Sequence, residues 1–247
     1  MYDLLRISVP QPEEVFLKWL GNCDIESTAT RTRKGAIEHS ARLKNLSLKS
    51  RSGWLNISGS ISRFTQDHNI TPIPFGGVKQ AIEHLSRQLQ WDINGGRVTS
   101  YELANTFSMN YNVGNYLNMM VLWKKQEPQF YGNGENKTVL FGSSTQEVFY
   151  DKTLQMVAKN HPIPQEFQNK NLLRYEHRRK RGLERRKGGI NTPLYVSELY
   201  SEKRVTEALK EYVKSYGLVQ KVKRKNGVNI SELDSKVRLF SKEYLNT

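Results

Sequence analysis

Apolar and polar residues alternate in several short stretches of the chain, and this alternation predicts strands. In the first stretch, residues 2–9, Leu5, Ile7 and Val9 fall on one face. The same reasoning predicts further strands at 54–59, 97–106, 137–142, 147–151 and 171–178. A Gly-Ser-Ser-Thr-Gln sequence joins the fourth and fifth of these six strands, so they are expected to form a hairpin.

Apolar residues at a spacing of three to four predict helices at other positions. A short helix is predicted at 13–20, and a longer one begins at Gly76. From Leu194 onward the pattern is again helical, with many charged residues. Residues 21–53 are polar and basic. They are interpreted either as a solvated loop or hairpin, or as an edge that contacts DNA.

The order of these elements predicts an α+β fold, with a central antiparallel sheet of about five strands and helices on one face. The composition changes at Gly188 and Gly189. We therefore predict a domain at 1–188, followed by a basic helical extension at 189–247.

Charge is the property of the composition that says most about partners. Lys and Arg number 38 against 24 Asp and Glu, which gives a formal net charge of +14. A surplus of this size attracts polyanions and favours nucleic acid as the partner, although ribosomal, membrane-surface and other basic proteins share it.

Two further observations concern the compartment. The sequence has no apolar run near the roughly 18–20 residues that cross a bilayer, so no membrane association is expected. Its single cysteine, Cys23, cannot form an internal disulfide, in keeping with a reducing cytoplasm.

Three polar residues lie within strands that otherwise resemble core: Glu102, Tyr150 and Glu176. A carboxylate in the middle of a strand is costly unless it faces solvent, pairs with a cation or binds a metal. If the three share one face, the two carboxylates could hold Mg²⁺ or Mn²⁺. Tyr150 could then attack a phosphate, activated by the positive charge of Lys152 or Arg174.

Each of these residues also has an ordinary explanation. A tyrosine in a strand is usually a packing residue, and Glu176 between two arginines is usually a surface ion pair. The basic run that follows could be a solvated face. Alternatively, its members would hold DNA phosphates without reading bases: Arg174, Arg178, Arg179, Lys180, Arg181, Arg185, Arg186 and Lys187.

Five segments occur in an order that also points to a family. They are MYDLLRISVP at 1–10, LNISG at 55–59 followed by His68-Asn69, VTSYELANT at 98–106, VLFG and VFYDK within 139–152, and LLRYE at 172–176. In this order they resemble the amino-terminal replication domain of the filamentous-phage gene-two proteins. They are also similar to related initiators of small phages and plasmids that replicate by rolling circle. The resemblance covers residues 1 to about 185 as scattered short motifs.

The resemblance implies a Rep/relaxase-like nuclease fold and a metal-dependent endonuclease that nicks one DNA strand. Tyr150 matches the tyrosine of a Tyr-x-Lys element, which implies a 5′-phosphotyrosine link, with Lys152 beside it. Glu102 and Glu176 match acidic positions expected to hold the metal, and His68 falls in a matching segment as a further candidate ligand. The sequence lacks the paired histidines of the His-hydrophobic-His nicking enzymes.

The implied substrate is origin DNA in a hairpin or single-stranded form, inside a bacterial host cell. A host helicase or polymerase and a second copy of the chain are further expected partners. Two alternatives stay open: a basic DNA-binding accessory protein without catalysis, and a conjugative relaxase with the same chemistry.

Overall fold

The structure is a computed structural model that describes residues 1–23, 25–33, 35–132, 137–180, 185–187 and 190–244. Within these residues the strands are β1 (Tyr2–Pro10), β2 (Ser27–Arg31), β3 (Ile37–Leu43), β4 (Leu46–Arg51), β5 (Trp54–Ser60), β6 (Arg97–Met109), β7 (Met120–Trp123), β8 (Gln129–Tyr131), β9 (Thr138–Gly142), β10 (Thr145–Asp151), β11 (Asn171–Arg179), β12 (Arg185–Lys187), β13 (Ile190–Thr192), β14 (Val219–Lys221), β15 (Arg224–Lys225) and β16 (Val228–Asn229).

Seven α-helices occur in the same part of the chain. They are α1 (Glu13–Cys23), α2 (Ile61–Gln66), α3 (Phe75–Leu89), α4 (Val113–Leu117), α5 (Lys152–Ala158), α6 (Glu202–Gly217) and α7 (Ser231–Glu243). Single 3₁₀ turns lie at Gln165–Phe167 and Val196–Glu198.

One large antiparallel sheet organises the molecule. Counted over the described residues it has ten strands, in the order β2-β3-β4-β5-β1-β6-β11-β10-β9-β8. The predicted α+β class and antiparallel pairing are therefore confirmed. All six strands predicted from alternation lie in this sheet, and the predicted hairpin is the antiparallel pair β9–β10.

The sheet is larger than the predicted five or so strands because strands are added toward both edges. The polar segment at 21–53 contributes β2, β3 and β4, which pair in sequence next to β5. Every residue of β2 is exposed. A strand with no buried face shows no apolar alternation, so the pattern that predicts the central strands gives no indication of this one.

Alternation along β11 defines the two faces of the sheet. We call the face that carries Arg174, Glu176 and Arg178 the site face, and the face that carries Leu173 and Tyr175 the core face. The main hydrophobic core, with residues of α3, α6 and α7, includes the core-face residues. Helices lie on both faces rather than one, because α5 packs Met156 against Leu172 of the site face in a second, small cluster.

The carboxy-terminal helix α6 is joined to the core face by aromatic stacking. The Tyr175 ring lies between Phe149 of β10, at 4.7 Å between centroids, and Tyr212 of α6, at 4.5 Å. All three side chains are fully buried. The predicted domain boundary at Gly188 and Gly189 lies outside the described residues and stays a prediction.

A buried polar network accompanies these rings. Glu147 of β10 accepts hydrogen bonds from Tyr175 Oη at 2.6 Å and Ser215 Oγ at 2.5 Å, and His177 Nδ1 lies 2.9 Å from it. Burial lowers the pKa of His177, but the contacts of its two ring nitrogens with Glu147 and Glu211 outweigh this effect and raise the pKa to about 9. The network therefore supplies the charged partner that the buried Glu147 needs.

Among the helices that the structure describes, none combines the length and the apolar composition needed to cross a bilayer.

The core face gives a direct stability test. Phe149→Ala removes a buried ring from the stack, and we expect the free energy of unfolding to fall by about 3–5 kcal/mol in urea denaturation. The matched change Phe130→Ala removes a ring that is 53% exposed on β8. It should cost less than about 1 kcal/mol. Similar losses in the two variants would contradict this packing.

Candidate active site

Four neighbouring strands of the sheet place one chemically reactive side chain each on the site face. Asp3 lies on β1, Glu102 on β6, Glu176 on β11 and Tyr150 on β10, and these strands are adjacent in that order. Ala104, a small residue on the same face, lies opposite Glu176 in the register of β6 and β11. The expected convergence of Glu102, Tyr150 and Glu176 on one face is therefore observed.

Three acids form the centre of this site, and we call Asp3, Glu102 and Glu176 the carboxylate cluster. One carboxylate oxygen from each lies within 4.8 Å of the other two. Asp3 and Glu176 are buried, whereas Glu102 is partly accessible. Three like charges this close repel one another unless a cation compensates them.

Two arginines provide much of that compensation. Arg174, which is 2% exposed, donates from Nε to Glu176 at 2.9 Å and from Nη2 to Asp3. Arg178 contacts Glu176 at 2.6 Å and Glu102 at 3.1 Å. Every carboxylate of the cluster therefore has a guanidinium partner, and the acids outnumber these arginines by one.

Glu176 contacts both arginines, whereas Glu102 contacts only Arg178. The pKa values of the two carboxyl groups therefore differ. Burial and the charge of Glu176 raise the pKa of Glu102 to about 7. Burial also acts to raise the pKa of Glu176, but the charges of Arg178 and Arg174 outweigh it and hold the pKa at about 2. Glu102 is thus the carboxyl group of this pair that takes up a proton near neutral pH.

The Tyr150 hydroxyl points into the cluster. It donates a hydrogen bond to Glu176 Oε1 at 2.7 Å, and the residue is 6% exposed. Burial, followed by the charge of Glu176, raises the pKa of Tyr150 well above its usual value. The phenol therefore keeps its proton in this arrangement, and its surroundings are the ionic groups of the site face.

Lys152, the first residue of α5, lies close to Tyr150 but does not bond to its hydroxyl. The Lys152 Nζ donates to Asn69 Oδ1 at 2.8 Å and to Gln155 Oε1 at 2.9 Å, and it lies 6.0 Å from the centre of the Tyr150 ring. Burial and the charge of Arg174 lower the pKa of Lys152 to about 7. The Lys152 ammonium is therefore hydrogen-bonded to two amide oxygens rather than to the phenol.

The structure adds two residues that sequence reasoning missed. Asp3 completes the cluster, and Asn69 donates from Nδ2 to Asp3 at 2.9 Å while its carbonyl accepts from Arg174 Nη1 at 2.5 Å. The sequence offers one indication of Asp3, since an acid within the first predicted strand needs the same explanation as Glu102. Asn69 is adjacent to His68 in the family-like segment but carries no signal of its own.

His68 does not belong to the group of side chains that could hold a metal together with the carboxylate cluster. Its ring packs edge-on against Phe167 at 6.1 Å between centroids. Its Nδ1 is buried and has no hydrogen-bond partner among the residues that are described. The structure thus places His68 beside Asn69 without bringing it to the carboxylates, and its role as a metal ligand stays a prediction.

The predicted basic run begins within β11, and its members there divide between the two faces of the sheet. Arg174 and Arg178 lie on the site face, whereas Arg179 bonds to Glu211 of α6 on the core face. Lys180 follows the end of β11, where its backbone N–H donates to Ser144. The remaining predicted DNA contacts lie outside the described part, wholly or in their side chains: Arg181, Arg185, Arg186 and Lys187.

The donor set of the cluster fits a hard divalent cation. Asp3, Glu102 and Glu176 offer only oxygen ligands, which Mg²⁺ and Mn²⁺ prefer. When all three acids are ionised they outnumber Arg174 and Arg178 by one, so one negative charge is left uncompensated by these arginines. These three residues are therefore the ones that would hold such an ion.

Comparison with known proteins does not identify a function. No protein-family model matches the sequence, and a search of curated proteins finds no match. The candidate function therefore depends on the carboxylate cluster, on Tyr150 and on the cations around them.

Metal binding at the cluster should depend on pH. Protonated Glu102 cannot ligate a cation, so a proton competes with the metal below the pKa of about 7. We expect Mn²⁺ affinity, measured by calorimetry, to fall by roughly tenfold between pH 8 and pH 6. Equal affinity at the two pH values would contradict the role of Glu102.

The variant Glu102→Gln should weaken Mn²⁺ binding at pH 8 and remove most of the pH dependence. The same change at the exposed Glu127 serves as the matched control and should leave both properties as they are in the unsubstituted protein.

Proposed function

We propose that the protein is a metal-dependent DNA nicking and strand-joining enzyme whose nucleophile is Tyr150. The observation that supports this most is the convergence of a tyrosine hydroxyl, three carboxylates and two arginines from four adjacent strands. The net charge of +14 favours a polyanionic substrate. The motif order that resembles rolling-circle initiators supports the same activity and a Rep/relaxase-like fold.

The charges of the site suit one phosphodiester. Mg²⁺ or Mn²⁺ held by the carboxylate cluster would supply Lewis-acid stabilisation of the reacting phosphate. The three acids exceed Arg174 and Arg178 by one negative charge, so a divalent ion leaves one positive charge. A phosphodiester brings one negative charge, and Lys152 is an additional donor whose pKa of about 7 lets it respond to that charge.

The reaction follows from the side chains already described. Tyr150 Oη forms a bond to the phosphorus, and the bond from phosphorus to O3′ breaks with its electron pair on O3′. The tyrosine proton passes to a carboxylate of the cluster, and O3′ takes up a proton from water, to which the carboxylate's proton is afterwards released. The products are a 5′-phosphotyrosine and a free 3′-hydroxyl, which can prime synthesis or rejoin the strand by the reverse reaction.

The burial of Tyr150 restricts the form of the substrate. At 6% exposure the phenol is reached only after neighbouring side chains move. Base-paired DNA does not deliver a backbone phosphate into such a recess, whereas an unpaired strand does. We therefore assign a single-stranded or hairpin origin as the substrate.

Two observations favour a second candidate, a DNA-binding accessory protein without catalysis. Glu102 is already paired with Arg178 at 3.1 Å, and the Tyr150 phenol is buried with a raised pKa. A purely structural ion-pair network would have both properties. Covalent chemistry separates the candidates, whereas a conjugative relaxase would share that chemistry and differ in its biological context.

Tyr150→Phe should abolish a covalent protein–DNA adduct and leave DNA binding nearly unchanged, because only the reacting oxygen is removed. The assay uses labelled single-stranded DNA covering the gene and its flanking sequence, with Mn²⁺, and detects adducts on a denaturing gel. Tyr131→Phe, at a tyrosine that is 53% exposed, is the matched control and should retain the adduct.

An adduct in the Tyr150→Phe variant would reject this nucleophile. If the unsubstituted protein binds the DNA but forms no adduct with Mn²⁺, the accessory-protein candidate is supported instead.

A further inference from the structure

A polar cavity lies near the carboxylate cluster. It has a volume of about 600 Å³ and opens between the β3–β4 turn, α2 and the segment after α5. We call it the basic groove, and its lining residues are Arg42, Lys44, Asn45, Arg63, Asp67 and His161. Three permanent cations thus face one carboxylate, and the groove concentrates positive charge.

The cations of the groove are held by contacts that leave their charge uncompensated. Lys44 Nζ donates to the carbonyl of Phe64 at 3.3 Å and lies 5.4 Å from the centre of its ring. Arg63 Nη1 lies 2.6 Å from His161 Nε2. Within the described ranges, neither Lys44 nor Arg63 forms an ion pair with a carboxylate. A ligand with several negative charges would supply the missing partners.

Two short segments join the groove to the candidate active site. Asp67 lines the groove, and two residues later Asn69 bonds to Asp3 and Lys152. On the other side, α5 begins with Lys152 at the site, and His161 follows its end in the groove wall. A chain of phosphates that occupied the groove would therefore continue toward Tyr150.

We propose that the basic groove binds the sugar–phosphate backbone of a single DNA strand beside the phosphate that reacts at Tyr150. A recess lined by cations from several elements suits one backbone, as in other grooves that track single strands. That the bound strand leads to a reacting phosphate rests on the proposed function. Binding of the strand in the groove does not.

The test removes two charges from the groove and two from elsewhere. The groove variant is Lys44→Gln with Arg63→Gln. The control is Lys18→Gln with Arg87→Gln, at exposed positions of α1 and α3. Anisotropy of a labelled single-stranded oligonucleotide gives the affinity of each full-length protein over a series of KCl concentrations, and circular dichroism checks folding.

We expect the groove variant to bind at least tenfold more weakly than the control, on the order of what two lost phosphate contacts cost. The slope of log affinity against log salt should become less steep by roughly 1.4, since each contact contributes about 0.7 for single strands. If the groove variant fails to fold, Arg42→Gln, at an exposed groove residue, should change the slope by about 0.7.

The possible outcomes distinguish the proposed groove from the proposed enzyme activity. If the groove variant and the control bind DNA equally well, the groove proposal is wrong, even if the unsubstituted protein forms the Tyr150 adduct and the proposed function stands. If the groove variant binds more weakly than the control but the unsubstituted protein forms no adduct, the groove proposal stands and the proposed enzyme activity is rejected. An equal loss for duplex and single-stranded DNA overturns the assignment to a single strand.

Discussion

The buried guanidinium of Arg174 holds the site face together, because it bonds to groups from three parts of the chain outside its own strand. It donates to Asp3 of β1, to Thr106 Oγ1 of β6 at 3.0 Å and to the carbonyl of Asn69 at 2.5 Å. A buried cation is costly unless its hydrogen bonds are satisfied by acceptors, several of them charged. Arg174 therefore ties the side chains of Asp3 and Glu176 to the backbone of Asn69, and two of the three acids of the cluster are held without any ligand.

Stability and chemistry are divided between the two faces of the same strands. On β10, Phe149 stacks in the core while the adjacent Tyr150 faces the carboxylates. On β11, Tyr175 packs against α6 while Glu176 joins the cluster. Because side chains alternate along a strand, the apolar face can fix the backbone on which an ionic site is built. Packing on the apolar face can then offset part of the cost of burying acids close together on the site face.

Local alternation explains which features the sequence predicts. It predicts that Tyr150 and Phe149 lie on opposite faces of the sheet and that Arg174 and Glu176 lie on the same face, as observed. The same parity puts Arg179 on the core face, where it meets Glu211, so the basic run was not one surface. The order of the strands, in contrast, does not follow from local alternation. Asp3 lies close to Glu102 because β1 pairs with β6, nearly a hundred residues later in the chain. No local pattern encodes that register. The exposed β2 lacks an apolar face and so lacks a signal altogether.

The protonation of Glu102 sets the net charge of the carboxylate cluster, and this charge bears on both candidate functions. With Glu102 protonated, two carboxylates face Arg174 and Arg178, and the cluster is balanced without any ligand. With Glu102 ionised, one negative charge is uncompensated, and burial beside Glu176 makes that state costly at neutral pH, since the pKa of Glu102 is about 7. In a purely structural network the third acid would gain an ion pair with Arg178, at 3.1 Å, but would also be repelled by Glu176. Because the pKa of Glu102 is about 7, a proton would compete at this carboxylate with the metal ion that the proposed function requires.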